Sequence, residues 1–147
     1  MDPEKVTPAL AALREWEGAS TLSPQWVILH TSREHVEEPF RKYGQAFAVV
    51  LAFDTDHLII ERLHSRETGR GHSKALVCFL QSLADKHEVR IEVIPGAYEL
   101  VERPIGPTLS DNELRGWYAK RGFVQKTWGL ATMWYPDFPP EPQSPRP

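Results

Sequence analysis

Two apolar runs, Ala46–Phe53 (AFAVVLAF) and His57–Leu63 (HLIIERL), stand back to back across Asp54-Thr55-Asp56. Short β-branched runs bounded by turn residues are strands, and a three-residue break between them makes a hairpin. The second run passes directly into Arg66-Glu67-Thr68-Gly69-Arg70-Gly71. A helix follows, with Ala75, Leu76, Phe79, Leu80 and Leu83 on one face and Ser73, Lys74, Gln81 and Lys86 on the other. Val89–Ile94 (VRIEVI) is the next strand, broken by Pro95-Gly96. Hairpin, helix and strand in this order require a sheet with a helix laid across it.

The flanking segments extend that unit. Val6, Leu10, Leu13 and Trp16 fall at helical spacing, and Gly18 ends the helix. Gln25–Thr31 reads as a short strand. Ser32 starts a second helix that carries Val36 and Phe40 inward, is weakened at Pro39 and stops at Gly44. Ser110, with Glu113 at the third helical position, opens a last helix with a capping box, which Gly122 ends. Phe123–Lys126 and Gly129–Trp134 form a closing strand pair. Strands outnumber helices in the order α-β-α-β-β-α-β-α-β-β, so the fold class is mixed α/β (α+β), not a doubly wound sheet. Residues 1–135 make one domain, and Pro136–Pro147, which holds six of the thirteen prolines, is a polyproline-like or disordered tail.

At 147 residues, a chain buries roughly 68–70% of its unfolded surface and needs no metal or disulfide to hold its core. The single cysteine, Cys78, rules out an internal disulfide framework and a cysteine-based zinc site, and reads as a small buried apolar residue. His30, His35, His57 and His87 lack metal-ligand spacing. No apolar run reaches the roughly 18 residues of a membrane span, and Met1–Lys5 lacks a signal-peptide layout, so the expected setting is the cytoplasm. The net charge of −3 weighs against nucleic acid as a partner, although Arg115, Lys120, Arg121 and Lys126 keep that reading open. Trp16, Trp26, Trp128 and Trp134 read as core or interface anchors.

Chemistry concentrates at two places. Gly69 and Gly71 flank Arg70 just before a helix, where glycine permits positive φ and close approach to the backbone. Successive amides there, the helix N-terminus and the cations Arg66, Arg70 and His72 suit a pyrophosphate-like anion. The spacing fits neither a Walker A loop nor a dinucleotide fingerprint. The second place is Trp117-Tyr118-Ala119-Lys120-Arg121-Gly122-Phe123, a helix ending at glycine and entering a strand.

Arg66-x-x-Gly69-x-Gly71 at a helix start, followed by the aromatic-Tyr-x-x-x-Gly-Phe block, resembles the GNAT N-acetyltransferase superfamily over Ala46 to Trp134. The resemblance implies a mostly antiparallel central sheet flanked by helices, with a parallel strand pair splayed at a CoA site. It implies acetyl-CoA as co-substrate and a primary amine of a small molecule or protein as acceptor. Gly69, Arg70, Gly71, His72 and Ser73 would cradle the pyrophosphate, Arg66 would close its edge, and Leu63 and His64 would border the pantetheine arm. Tyr118 would protonate the departing thiolate. Many members carry Asn seven residues before that tyrosine; here Asp111 stands there, with Asn112 adjacent.

A general base must also take a proton from the attacking ammonium, and Glu61 and His64 are the candidates, Glu61 the preferred one. By strand alternation Glu61 and Leu63 share a face and His64 points the other way, unless a bulge intervenes. Glu99 and Glu102, in the loop before the last helix, would border the acceptor channel and attract a cation. The sequence leaves open a homodimer, a CoA-binding or protein-binding member without turnover, and a member that modifies nucleic acid.

Overall fold

The fold is that of a computed structural model, which describes residues 6–23, 25–28, 35–38, 40–65, 67–95, 99–100, 109–126 and 129–136. Thr7 accepts the Leu10 amide at 3.1 Å through its hydroxyl, and Pro8 opens the first helix, α1 (Pro8–Ala19). The helix passes through Gly18 and ends one residue later. Its buried stripe is Ala9, Ala12 and Trp16, whereas Val6 is exposed and Leu10 and Leu13 are half-buried. Small residues set the spacing because α1 lies closely against the second helix and the sheet.

The strands that follow are β1 (Thr21–Leu22), β2 (Gln25–Ile28), β3 (His35–Glu38), β4 (Arg41–Tyr43), β5 (Ala46–Phe53) and β6 (His57–Ser65). Helix α2 (His72–His87), β7 (Arg90–Val93), β8 (Glu99–Leu100), α3 (Asp111–Ala119), β9 (Val124–Lys126) and β10 (Gly129–Tyr135) complete the order. Seven strands form the main sheet in the order β1-β4-β5-β6-β7-β10-β9, antiparallel except for β6 and β7. A three-stranded sheet has the order β3-β2-β8.

The helix expected from Ser32 to Gly44 is corrected. His35–Glu38 pairs with β2, and Arg41–Tyr43 turns through Gly44-Gln45 to pair with Ala46–Ala48. Pro39 cannot donate an intrahelical bond, and it falls where one strand ends and the next begins. Phe40 is fully buried as expected, but beside a strand instead of on a helix. Ser32 itself lies outside the described residues, as do Trp128 and residues 137–147 of the tail.

One face of the main sheet packs against α1 and α2. Ala46, Ala48, Val50, Leu58, Ile60, Ile91 and Val93 meet Leu76, Val77, Leu80, Leu83 and Ala84 of α2. Ala75, expected on that face, is exposed and Val77 takes its place; Cys78, expected buried, is exposed too. The Glu15 carboxylate ties the two helices together, at 2.6 Å from Lys86 Nζ and 3.2 Å from His87 Nε2. No helix among the described residues is long and apolar enough to cross a membrane.

Candidate functional site

The site is built where two strands part. β6 pairs in parallel with β7 only over His57–Ile60 against Arg90–Val93. On its other edge β6 stays paired with β5 as far as Ser65. β7 ends at Val93, so the ladder stops at Ile60 while β6 runs on for five residues. A strand edge left this way can take an extended partner by main-chain hydrogen bonds.

A bulge marks the same point. The register passes from Val50↔Ile60 to Val49↔Arg62, which makes Glu61 the extra residue of β6. Paired residues share a sheet face, so Leu63 (opposite Ala48) lies on the helix-bearing face with Ile60. His64, opposite Phe47, lies on the other face. Glu61 and Leu63 therefore do not alternate as a regular strand would have them, and the sequence gives no local sign of the inserted residue.

β6 delivers the chain into a turn that ends at α2. Ser65 is buried and donates its hydroxyl to the Glu67 carbonyl at 3.0 Å. Gly69 and Gly71 both adopt φ +79°, in the region that favours glycine, and a Cβ at either would meet nothing within 4 Å. Gly71 is the N-cap of α2, and no side chain caps that helix. The other two helices have such a cap: Thr7 serves α1, and Ser110 with Glu113 makes the capping box of α3. The first-turn amides of α2, with the positive end of a 16-residue helix dipole, thus face an open cradle. His72 and Ser73 are half-buried beside it. Arg70 is exposed, with its Nε 3.5 Å from a Glu67 carboxylate oxygen, so part of its charge is already shared. Arg66 lies outside the described residues.

Tyr118 lies in the last turn of α3 and is only 4% exposed. It belongs to the same apolar core that Leu63 packs against. Trp117 and Phe123 meet its ring edge-on at centroid distances of 5.0 and 5.3 Å. Burial pushes its phenol well above the usual tyrosine range, and the nearby Arg121 charge pulls the other way. Such a hydroxyl keeps its proton at every physiological pH. The end of α3 is clamped as well. Gln81 of α2 donates to the Arg121 carbonyl at 2.6 Å, and the Arg121 guanidinium lies 3.7 Å over the Trp117 ring while donating to the Trp117 carbonyl at 2.7 Å.

The two base candidates differ in setting. Glu61 is exposed at the bulge. His64 is stacked on Phe47 at 5.0 Å and meets Phe40 edge-on at 4.8 Å, which is the setting of a packing residue. Asp111 and Asn112 are exposed in the first turn of α3, whose cap is Ser110. Glu99 pairs through its backbone with Ile28, and Glu102 lies outside the described residues. The basic residues near α3 do not form one exposed face: Arg121 folds onto Trp117 and Arg115 is half-buried, while Lys120 is exposed.

No protein-family model matches the chain, and no curated protein matches its sequence. Among solved structures, the crystal structure of the anti-CRISPR protein AcrVA5 is similar, with a TM-score of 0.50 at 14% identity. The likeness covers 64% of this chain and 93% of AcrVA5. It speaks for the fold alone, and with the splayed β6–β7 pair the fold is GNAT-like.

Proposed function

We propose that the protein is an acyl-CoA-dependent N-acetyltransferase that moves an acetyl group from acetyl-CoA to a primary amine. The observation that carries this reading is the path of β6. The strand outruns its parallel partner and leads, through two positive-φ glycines, to an uncapped helix N-terminus. An extended pantetheine arm suits the first feature and a pyrophosphate suits the second, and they are consecutive in the chain.

In this reading the amides of His72 and Ser73 hold the pyrophosphate, with Gly69, Arg70 and Gly71 around it and Arg66 at its edge. The β6 backbone near Leu63 aligns the pantetheine and offers an amide to the thioester oxygen as it gains charge. The acceptor nitrogen attacks the thioester carbonyl carbon, an amide bond forms, and the carbon–sulfur bond breaks. Glu61, through a water, takes the proton that frees the attacking amine from its ammonium form. As the carbon–sulfur bond breaks, Tyr118 donates its hydroxyl proton to the leaving thiolate and regains one from the nitrogen of the new amide. A CoA-binding module without turnover is the second reading, favoured by the depth at which Tyr118 is packed.

Thermal unfolding with acetyl-CoA, free CoA and ATP tests the proposal. Ligand at about 100 times its Kd stabilises by roughly 2.7 kcal/mol, on the order of 5–15 °C for a domain of this size. A shift with both CoA forms, absent with ATP and diminished in Gly71→Val, is expected. No shift with acetyl-CoA would overturn the reading.

A further inference from the structure

Several arginines of the described residues have an evident place for their charge. Arg41 donates to Ser20 Oγ and to the Glu17 and Ser20 carbonyls at 2.8–2.9 Å, closing the end of α1. Arg70 meets Glu67, and Arg121 lies on Trp117. Arg115 is half-buried on α3, and its Nη1, like the Nε of Arg121, is shut off from solvent with no hydrogen-bond partner; unlike Arg121 it has no carbonyl or ring contact in compensation among the described residues. Among the described residues no carboxylate forms an ion pair with it. A guanidinium nitrogen shut off from water without an acceptor is unfavourable, and its presence calls for an explanation.

Its position supplies one. The residues of α3 that are not exposed are Leu114, Arg115, Trp117 and Tyr118. Arg115 precedes Tyr118 by three residues, so the two side chains are neighbours on one helix face. In the acyl-transfer reading the α2 N-terminus takes the pyrophosphate and Tyr118 meets the leaving thiolate, which puts Arg115 one helical turn from the reacting end of the site. We propose that Arg115 is a specificity residue that receives a carboxylate carried close to the reacting atoms by one of the two substrates. The planar guanidinium fork matches a carboxylate in two parallel hydrogen bonds. This assignment rests on the acyl-transfer reading above. The carboxylate has two sources: an acceptor of amino-acid type, with its amine and carboxylate on neighbouring atoms, or an acyl group with a free terminal carboxylate, such as succinyl.

The test compares wild type, Arg115→Gln and Arg115→Lys in two series. The first uses acetyl-CoA with amino acids and their methyl esters, which keep the amine and lose the carboxylate. The second uses a neutral amine with acetyl-CoA and succinyl-CoA. Wild type should favour the carboxylate-bearing reactant in one series by about 10- to 100-fold in kcat/KM. Arg115→Gln should lose that preference and Arg115→Lys should keep part of it. The series in which the preference occurs identifies the source. Absence of a preference in both series, or one that survives in Arg115→Gln, would overturn the assignment. Acetyl-CoA should still raise the unfolding temperature of Arg115→Gln, which separates loss of the carboxylate contact from loss of the fold. A wild type that acetyl-CoA does not stabilise would instead remove the acyl-transfer reading, and this assignment with it.

Discussion

Tyr118 carries the sharpest expectation for a single side chain. Its ring is held between Trp117 and Phe123, and burial keeps its hydroxyl protonated. Tyr118→Phe preserves the packed ring, so the unfolding temperature and its rise with acetyl-CoA should change little. The rate should fall by about 10²- to 10⁴-fold if the hydroxyl supplies the thiolate's proton. Because the phenol is pushed up, wild-type kcat should show no alkaline loss from Tyr118 through about pH 10, where an ordinary tyrosine ionises. An unchanged rate in Tyr118→Phe would return the residue to the core alone. At this scale the sequence reading identified positions better than orientations. Gly69 and Gly71 are legible because only their backbone is at issue, and both take the positive φ that makes glycine informative. Glu61 and His64 are not, since one inserted residue decides which face each occupies. Arg115 reads in the sequence as one of four basic residues that keep a nucleic-acid partner open, because nothing in its neighbours reveals that it is half-buried.

Among the elements, those with strong local signals form as read. β5 matches its expected span, α2 begins directly after Gly71, and the α3 capping box has both bonds, Glu113 amide to Ser110 Oγ at 3.3 Å and Ser110 amide to Glu113 carboxylate at 3.0 Å. Residues 35–43 show the limit of such reading: their helical periodicity is weak, and pairing with β2 and β5 decides the outcome. The α1–α2 contact gives a pH prediction. Hydrogen bonding to Lys86, foremost, and to His87 holds the Glu15 carboxyl below its usual value, against a smaller opposing effect of burial. A depressed folded value means that the stabilisation is present above the unfolded carboxylate pKa, about 4.3, and is lost as pH falls through the lower folded value. Glu15→Gln should therefore unfold at a lower temperature than wild type at neutral pH, with the gap narrowing as pH falls below about 4.3. A difference that persists unchanged at pH 3 would show that the pair is not its source.

At the scale of the whole molecule, the decisive feature is a sheet whose only parallel pair comes apart after four residues, among the strands described. The Gly-x-Gly turn and the Tyr-x-x-x-Gly-Phe block signalled this arrangement from afar, through resemblance. The splay itself depends on β7 stopping at Val93 and β6 continuing, a length mismatch that neither strand's composition records. The same mismatch makes the path proposed for the cofactor continuous from sheet edge to helix N-terminus. Backbone amide hydrogen exchange with and without acetyl-CoA examines that path directly. Slower exchange is expected near Leu63 in β6 and from Gly69 to Ser73, with residues of α1 and β4 unchanged. Bound acetyl-CoA that leaves these amides unprotected, or protects a different surface, would contradict the assignment of the β6 edge and the α2 N-terminus as its site.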